Sequence, residues 1–144
     1  EKAARDERRA ARASKESLKT ISDHLKEAQT EFNKYIRMRD MKLPCISCQR
    51  YHKGQYHAGH YRTVGACPEL RFDEANCHKQ CSACNNYLSG NIVEYRINLA
   101  VKIGEKELNR IEGYQPPVKW VIDEVKEIKS TYRQKWRELE GMAA

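Results

Sequence analysis

The 144 residues contain no apolar run near the roughly 18 to 20 needed to cross a bilayer, which excludes a helical transmembrane protein. No basic-then-apolar segment resembles a signal peptide, so nothing points to the oxidising compartments where disulfides form. The chain does not begin with Met, and we expect a piece of a longer protein or a processed one. No repeat occurs apart from two Cys-x-x-Cys pairs. What is abundant is charge: 33% of the residues, with Lys+Arg exceeding Asp+Glu by 27 to 20, a net +7. A basic balance favours an acidic partner, nucleic acid first. Charge alone does not separate a nuclease from a chromatin protein or a merely soluble domain.

The charge is uneven. Residues 1–40 carry 11 basic and 8 acidic groups, 41–90 carry 6 and 3, and 91–144 carry 10 and 9. The middle part holds all six Cys and four of the five His. Its helical periodicity is poor, whereas the flanks are periodic and rich in Ala, Lys, Glu and Arg. The fold class expected is α+β: a small metal-stapled irregular module between long helices, mostly helical overall. Residues 1–13 have no apolar stripe and read as a charged, solvated extension. Over 14–40, Leu18, Ile21, Leu25, Ala28, Phe32 and Tyr35 recur at steps of three and four, an amphipathic helix that ends before Pro44. The module spans 41–90. Helices follow over 91–144: one from an N-cap at Asn91, a short one at 105–112, and a last one from about Val118 to Leu139. The stripe of the last helix is Val121, Val125, Ile128, Tyr132, Trp136 and Leu139. The two long stripes either pack on the module and each other or form a coiled-coil-like dimer contact.

Cys45-Ile-Ser-Cys48 and Cys81-Ser-Ala-Cys84 have the spacing with which two thiolates of one knuckle reach one ion. Two knuckles supply four soft ligands in a tetrahedron, a closed structural Zn²⁺ site. A redox pair is disfavoured because no strand-then-helix pattern surrounds either one. The 32 residues between Cys48 and Cys81 exceed a compact four-Cys finger and leave room for a hairpin and loop. Cys67 and Cys77 fall outside the pattern and read as ordinary buried thiols. His24, His52 and His78 read as structural or surface histidines.

Between the knuckles, Tyr56–Tyr61 alternates large and small residues as a strand would, and Leu70–Asp73 is its expected partner. Asn76 precedes the second knuckle; Asn85 and Asn86 follow it at the start of a short helix over 82–88. His60 and Asn85 would thus meet at one concavity, which suits phosphodiester hydrolysis. An imidazole can take a proton from water, and a hard oxygen ligand can hold a divalent ion near the leaving oxygen. Asn85 also has an ordinary reading as a helix cap, and Asn76 as a turn residue.

The stretches LPCISC (43–48), AGHYRT (58–63), LRF (70–72), HKQC (78–81), CN (84–85) and SGN (89–91) resemble the NinG recombination proteins of lambdoid phages, over about residues 30 to 140. Through them the chain is similar to HNH (ββα-metal) endonucleases, among which phage endonuclease VII is similar in kind. The resemblance implies a zinc-stapled HNH module in a phage protein of the host cytoplasm that cleaves branched double-stranded DNA, including Holliday junctions and D-loops. It implies His60 as general base, Asn76 as the residue bracing the catalytic loop, and Asn85 as ligand of a catalytic Mg²⁺ or Mn²⁺. One departure stands out. HNH enzymes often carry a metal ligand directly before the base, where this chain has Gly59. NinG relatives can carry Asp three residues before it, where this chain has His57. His57 is either a second ligand, favouring Mn²⁺, or contributes nothing to metal binding.

The expected chemistry is in-line attack by a water activated by His60, leaving a 5′-phosphate and a 3′-hydroxyl. Arg62, Arg71 and Lys79 are the expected DNA contacts because they lie nearest the site in sequence. A homodimer through 14–40 and 118–140 would suit a two-fold junction. The rival readings are a non-catalytic zinc-knuckle DNA-binding or recombination-partner module, and a helical adaptor.

Overall fold

Thr20 starts the principal helix. Its Oγ1 accepts from the Asp23 amide (3.3 Å), and the Asp23 carboxylate accepts from the Thr20 amide (2.9 Å). This reciprocal cap satisfies two amides that a helix leaves open at its start. It also separates two helices where the hydrophobic pattern suggested one with a solvated leader. A computed structural model describes residues 1–143. In it α1 spans Lys2–Ser17 and buries nothing, while α2 spans Ile21–Arg39 and buries His24, Ala28, Phe32 and Ile36. Leu18, placed in the stripe from sequence, lies past the end of α1 and is 79% exposed.

The remaining elements are β1 (Tyr56–His60), β2 (Cys77–Cys81), α3 (Ile92–Ile103), α4 (Glu105–Glu112) and α5 (Ile122–Ala143). The molecule is thus mostly helical with one small two-stranded sheet. The last residue of the expected 91–144 segment lies outside the described residues, and α5 begins four residues after the expected start at Val118.

β1 pairs antiparallel with β2, Tyr56 opposite Cys81 and His60 opposite Cys77. The partner expected at Leu70–Asp73 is not a strand. Pro68 opens one 3₁₀ turn (Pro68–Leu70) with its fixed φ. The Asp73 carboxylate accepts from the Ala75 amide (3.0 Å) and caps a second (Glu74–Asn76). Leu70 is buried in a core with Tyr95, Leu99, Leu108 and Ile111.

The sheet lies between two layers. Ala58 and Cys77 face α2, with Phe32 and Ile36. On the other face the Tyr95 hydroxyl of α3 donates to the Gly59 carbonyl (2.6 Å). Gly59 has no room for a side chain, because a Cβ there would strike the Gln80 side chain.

α2 and α5 pack on each other. Lys129 meets Glu27 (2.9 Å) and Arg133 meets Glu31 (2.8 Å), a constant offset of 102 residues, so the two helices run in the same direction. The apolar residues that suggested a dimer contact therefore meet within one chain, where Phe32 and Tyr132 pack edge to face (4.7 Å).

Asp40 ties three elements together and is 2% exposed. It accepts from Arg39 through both oxygens (2.9 Å each), from the Lys79 amide of β2 (3.1 Å) and from Lys102 of α3 (2.8 Å). Burial opposes its ionisation, but Arg39 and Lys102 win and hold its carboxyl well below the usual carboxylate range.

Candidate functional site

The two knuckles bring Cys45, Cys48, Cys81 and Cys84 together, with all four Sγ atoms within 4.8 Å of one another. Bonds of ~2.3 Å in a tetrahedron place neighbouring sulfurs about 3.8 Å apart, and Cys48 Sγ lies 3.9 Å from Cys81 Sγ. N–H groups point at the sulfurs, as thiolate ligands require: the Cys84 amide at Cys81 (3.4 Å) and Asn91 Nδ2 at Cys84 (3.5 Å). Burial pushes the thiols of Cys48, Cys81 and Cys84 up, whereas at Cys45 the backbone N–H groups aimed at the sulfur overcome burial and bring the thiol down. The donor set fits a structural metal such as zinc.

Asn91 takes the N-cap position of α3, but its φ is +44° and its side chain serves Cys84 instead of capping. Ser89, Gly90 and Asn91 all have positive φ, so the chain turns sharply between the second knuckle and α3. Cys67 and Cys77 are buried away from the cluster, and burial pushes the Cys77 thiol up.

A cavity of about 290 Å³ opens beside β1, its wall including Ala58, His60, Thr63, Asn85 and Ser89. His60 ends β1. Its Nε2 lies 3.0 Å from the Arg71 carbonyl, which only accepts, so the ring proton sits on Nε2 and the lone pair on Nδ1. Nδ1 is 3.8 Å from the Cys77 thiol, and the ring stacks on Phe32 (6.2 Å). Burial lowers the His60 pKa and keeps the ring neutral. Asn85 stands on one π-helical turn (Ala83–Tyr87) directly after the knuckle, its Nδ2 donating to Asn86 (3.4 Å).

Asn76 is fully buried behind the cavity. Its Oδ1 accepts from the Arg62 amide (2.9 Å), and its Nδ2 donates to the carbonyls of Arg62 (3.0 Å) and Leu70 (3.4 Å). It therefore holds both ends of the loop that leaves His60.

His57 does not join the wall. Strand alternation places it on the face of Gly59, opposite Gln80, away from Ala58 and His60. Its Nε2 is shut from solvent without a hydrogen-bond partner. No carboxylate lines the cavity. Asn85 and a few hydroxyls would give Mg²⁺ or Mn²⁺ only one or two neutral ligands, so water and substrate phosphate would have to complete the octahedron with no protein carboxylate to anchor it.

The expected DNA contacts are largely engaged elsewhere. Lys79 is 6% exposed; its ammonium donates to the carbonyls of Met41 (3.2 Å) and Leu43 (2.8 Å) and sits over the Tyr56 ring (3.9 Å). Its charge is thus already engaged within the protein, which leaves little of it for DNA. Arg62 donates to the carbonyls of Ile111 (3.0 Å) and Gly113 (2.9 Å), closing the end of α4. Arg71 holds Gln29 through Nε (2.8 Å).

Two supports had no signal in the sequence. The Tyr61 hydroxyl, at the cavity, donates to Glu112 (2.6 Å), which Arg96 grips with two nitrogens (2.9 Å each). Burial and Glu112 push the Tyr61 pKa up to about 12. The Asp40 hub is the other. Both join segments far apart in the chain.

Among the described residues no helix is long and apolar enough to cross a membrane. No solved structure matches the chain. The family model described as the bacteriophage lambda NinG protein matches residues 1–141. The protein ninG of Escherichia phage lambda is 47% identical over 123 residues, 85% of this chain and 60% of that protein. Those of Escherichia phage 933W (46%) and Salmonella phage P22 (47%) each match over 85% of this chain and 61% of their own lengths. The match thus takes in about three fifths of each relative. A family model that covers nearly the whole chain, with relatives at this identity, means that the chain belongs to the NinG family of bacteriophage proteins.

Proposed function

We propose that this chain is the core of a DNA endonuclease of HNH type that cuts branched recombination intermediates such as four-way junctions. The observation that carries the reading is the joint placement of His60 and Asn85 at one cavity, with Asn76 locked behind it. In this mechanism a water that takes the place of the Cys77 thiol at His60 Nδ1 gives that nitrogen its proton as its oxygen attacks phosphorus in line; the P–O3′ bond breaks and the 3′-oxygen leaves as a hydroxyl with a proton from solvent. The Arg71 carbonyl, bound to Nε2, fixes the tautomer and steadies the imidazolium that forms. Asn85 contributes an amide to the phosphate, and Asn76 keeps the loop after His60 from shifting. The four-cysteine site holds the strand, the π-helical turn and the first knuckle together; its zinc does no chemistry.

A second reading rests on the missing carboxylate: with no resident cage for a divalent ion, a zinc-stapled module that binds branched DNA without cutting it also suits the cavity. One assay separates the two. Purified wild-type protein is incubated with a labelled four-way junction in Mg²⁺ and, separately, in Mn²⁺. Paired cuts with 5′-phosphate ends support the nuclease. A stable complex with intact strands in both metals supports the binding module.

A further inference from the structure

α1 is a sixteen-residue helix that buries no residue. Packing does not hold it, and at sixteen residues it is only just past the length of about 12 to 15 below which an isolated helix is marginal in water. Its arginines nevertheless share one face, bounded by Glu1 and Glu16, while Asp6 and Glu7 fall on the other. Arg5, Arg8, Arg9 and Arg12, spaced i, i+3, i+4 and i+7, lie on one face and line one recess. Ala3, Ala4, Ala10 and Ala11 fall on the other side.

Elsewhere Arg96 pairs with Glu112, Arg110 with Asp73 and Arg133 with Glu31, and the exposed Arg50 and Arg137, which have no carboxylate partner among the described residues, stand singly and not in a row. Among the described residues none of the four α1 arginines has a carboxylate within 4.0 Å; the ion pairs of α1 are those of Glu16 with Lys19 and Lys126. Four uncompensated guanidiniums over about 10 Å of helix make a row of positive charge without an internal partner.

We infer that this row grips the phosphate backbone of a duplex DNA arm, so that α1 is the element that holds the substrate. The inference rests on the DNA reading above and names where affinity comes from. A duplex is an evenly charged rod, and guanidinium forks bind phosphate oxygens in pairs. An anionic membrane fits less well, because an interfacial helix needs bulky apolar side chains opposite its basic face, and α1 offers alanines, Asp6 and Glu7 there.

The test is binding of a short plain duplex with Mg²⁺ and Mn²⁺ omitted, between about 50 and 200 mM salt. The quadruple variant R5Q/R8Q/R9Q/R12Q alters only exposed positions, and circular dichroism checks its helix content. Its log K against log salt line should be shallower than wild type by about 3 to 4, at roughly 0.9 per lost phosphate contact, with affinity down roughly 10- to 100-fold at the lower salt. The control K106Q/K119Q removes exposed charge from other parts of the chain and should shift the line much less. An unchanged slope in the quadruple variant, or an equal shift in the control, overturns the inference. So does α1-dependent binding to anionic vesicles combined with α1-independent binding to DNA. The two proposals fail separately. Junction cleavage with an unchanged slope removes the α1 grip and leaves the nuclease. A lost slope in a protein that never cleaves leaves the grip and removes the nuclease.

Discussion

At the scale of single residues, the Arg71 carbonyl decides what His60 can do. It fixes the proton on Nε2, and burial lowers the pKa, so the neutral ring persists below the ordinary histidine value of about 6.5. Protonation removes the base, so cleavage should fall on the acid side only below that value. A pH–rate profile under conditions where chemistry limits checks this; an acid limb centred above 6.5 contradicts it. Asn76 makes three hydrogen bonds in a fully buried setting. Asn76→Ala strands the Arg62 amide and carbonyl, and should cost about 2 to 3 kcal/mol in denaturant unfolding. Gly59→Asp restores an acid directly before the base in sequence, but strand alternation aims it at Gln80. The variant should unfold more easily and gain no divalent-ion affinity by calorimetry.

At the scale of elements, two fasteners hold the module: the four-cysteine cluster and the Asp40 hub. Zinc removal by a strong chelator should lower the melting temperature and loosen the β1–β2 region, read by amide exchange, while α2 and α5 stay paired through their own contacts. Asp40→Ala leaves Arg39 and Lys102 facing each other across an empty site and should cost about 3 kcal/mol or more. The cysteine pairs were legible because ligand spacing is local, and the stripes of α2 and α5 because helical periodicity is local too. The partner strand was misplaced because Leu70–Asp73 alternates apolar and polar residues, whereas Cys77–Cys81, buried on both faces, does not. Pro68 and Asp73, both turn formers, decide between them. α1 left no stripe to read, its helicity resting on Ala and Arg propensity alone. The inward turn of Lys79 and the Tyr61–Glu112–Arg96 chain depend on residues distant in sequence, which a single chain does not pair.

At the scale of the whole molecule, a sheet of two five-residue strands buries too little to stand alone. It is held between α2 and α3, with α5 bracing α2 from outside. That frame keeps His60 and Asn85 at one cavity although they come from different elements. On this account the cavity cuts DNA and the frame positions it. The most direct measurement compares wild type with His60→Ala on a four-way junction in Mn²⁺, both proteins shown to be folded and zinc-replete. The account predicts cleavage with 5′-phosphate ends by the wild type and a loss of at least about 100-fold in rate for the variant, with junction affinity retained. Full cleavage by the variant, or an intact junction with both proteins, contradicts it.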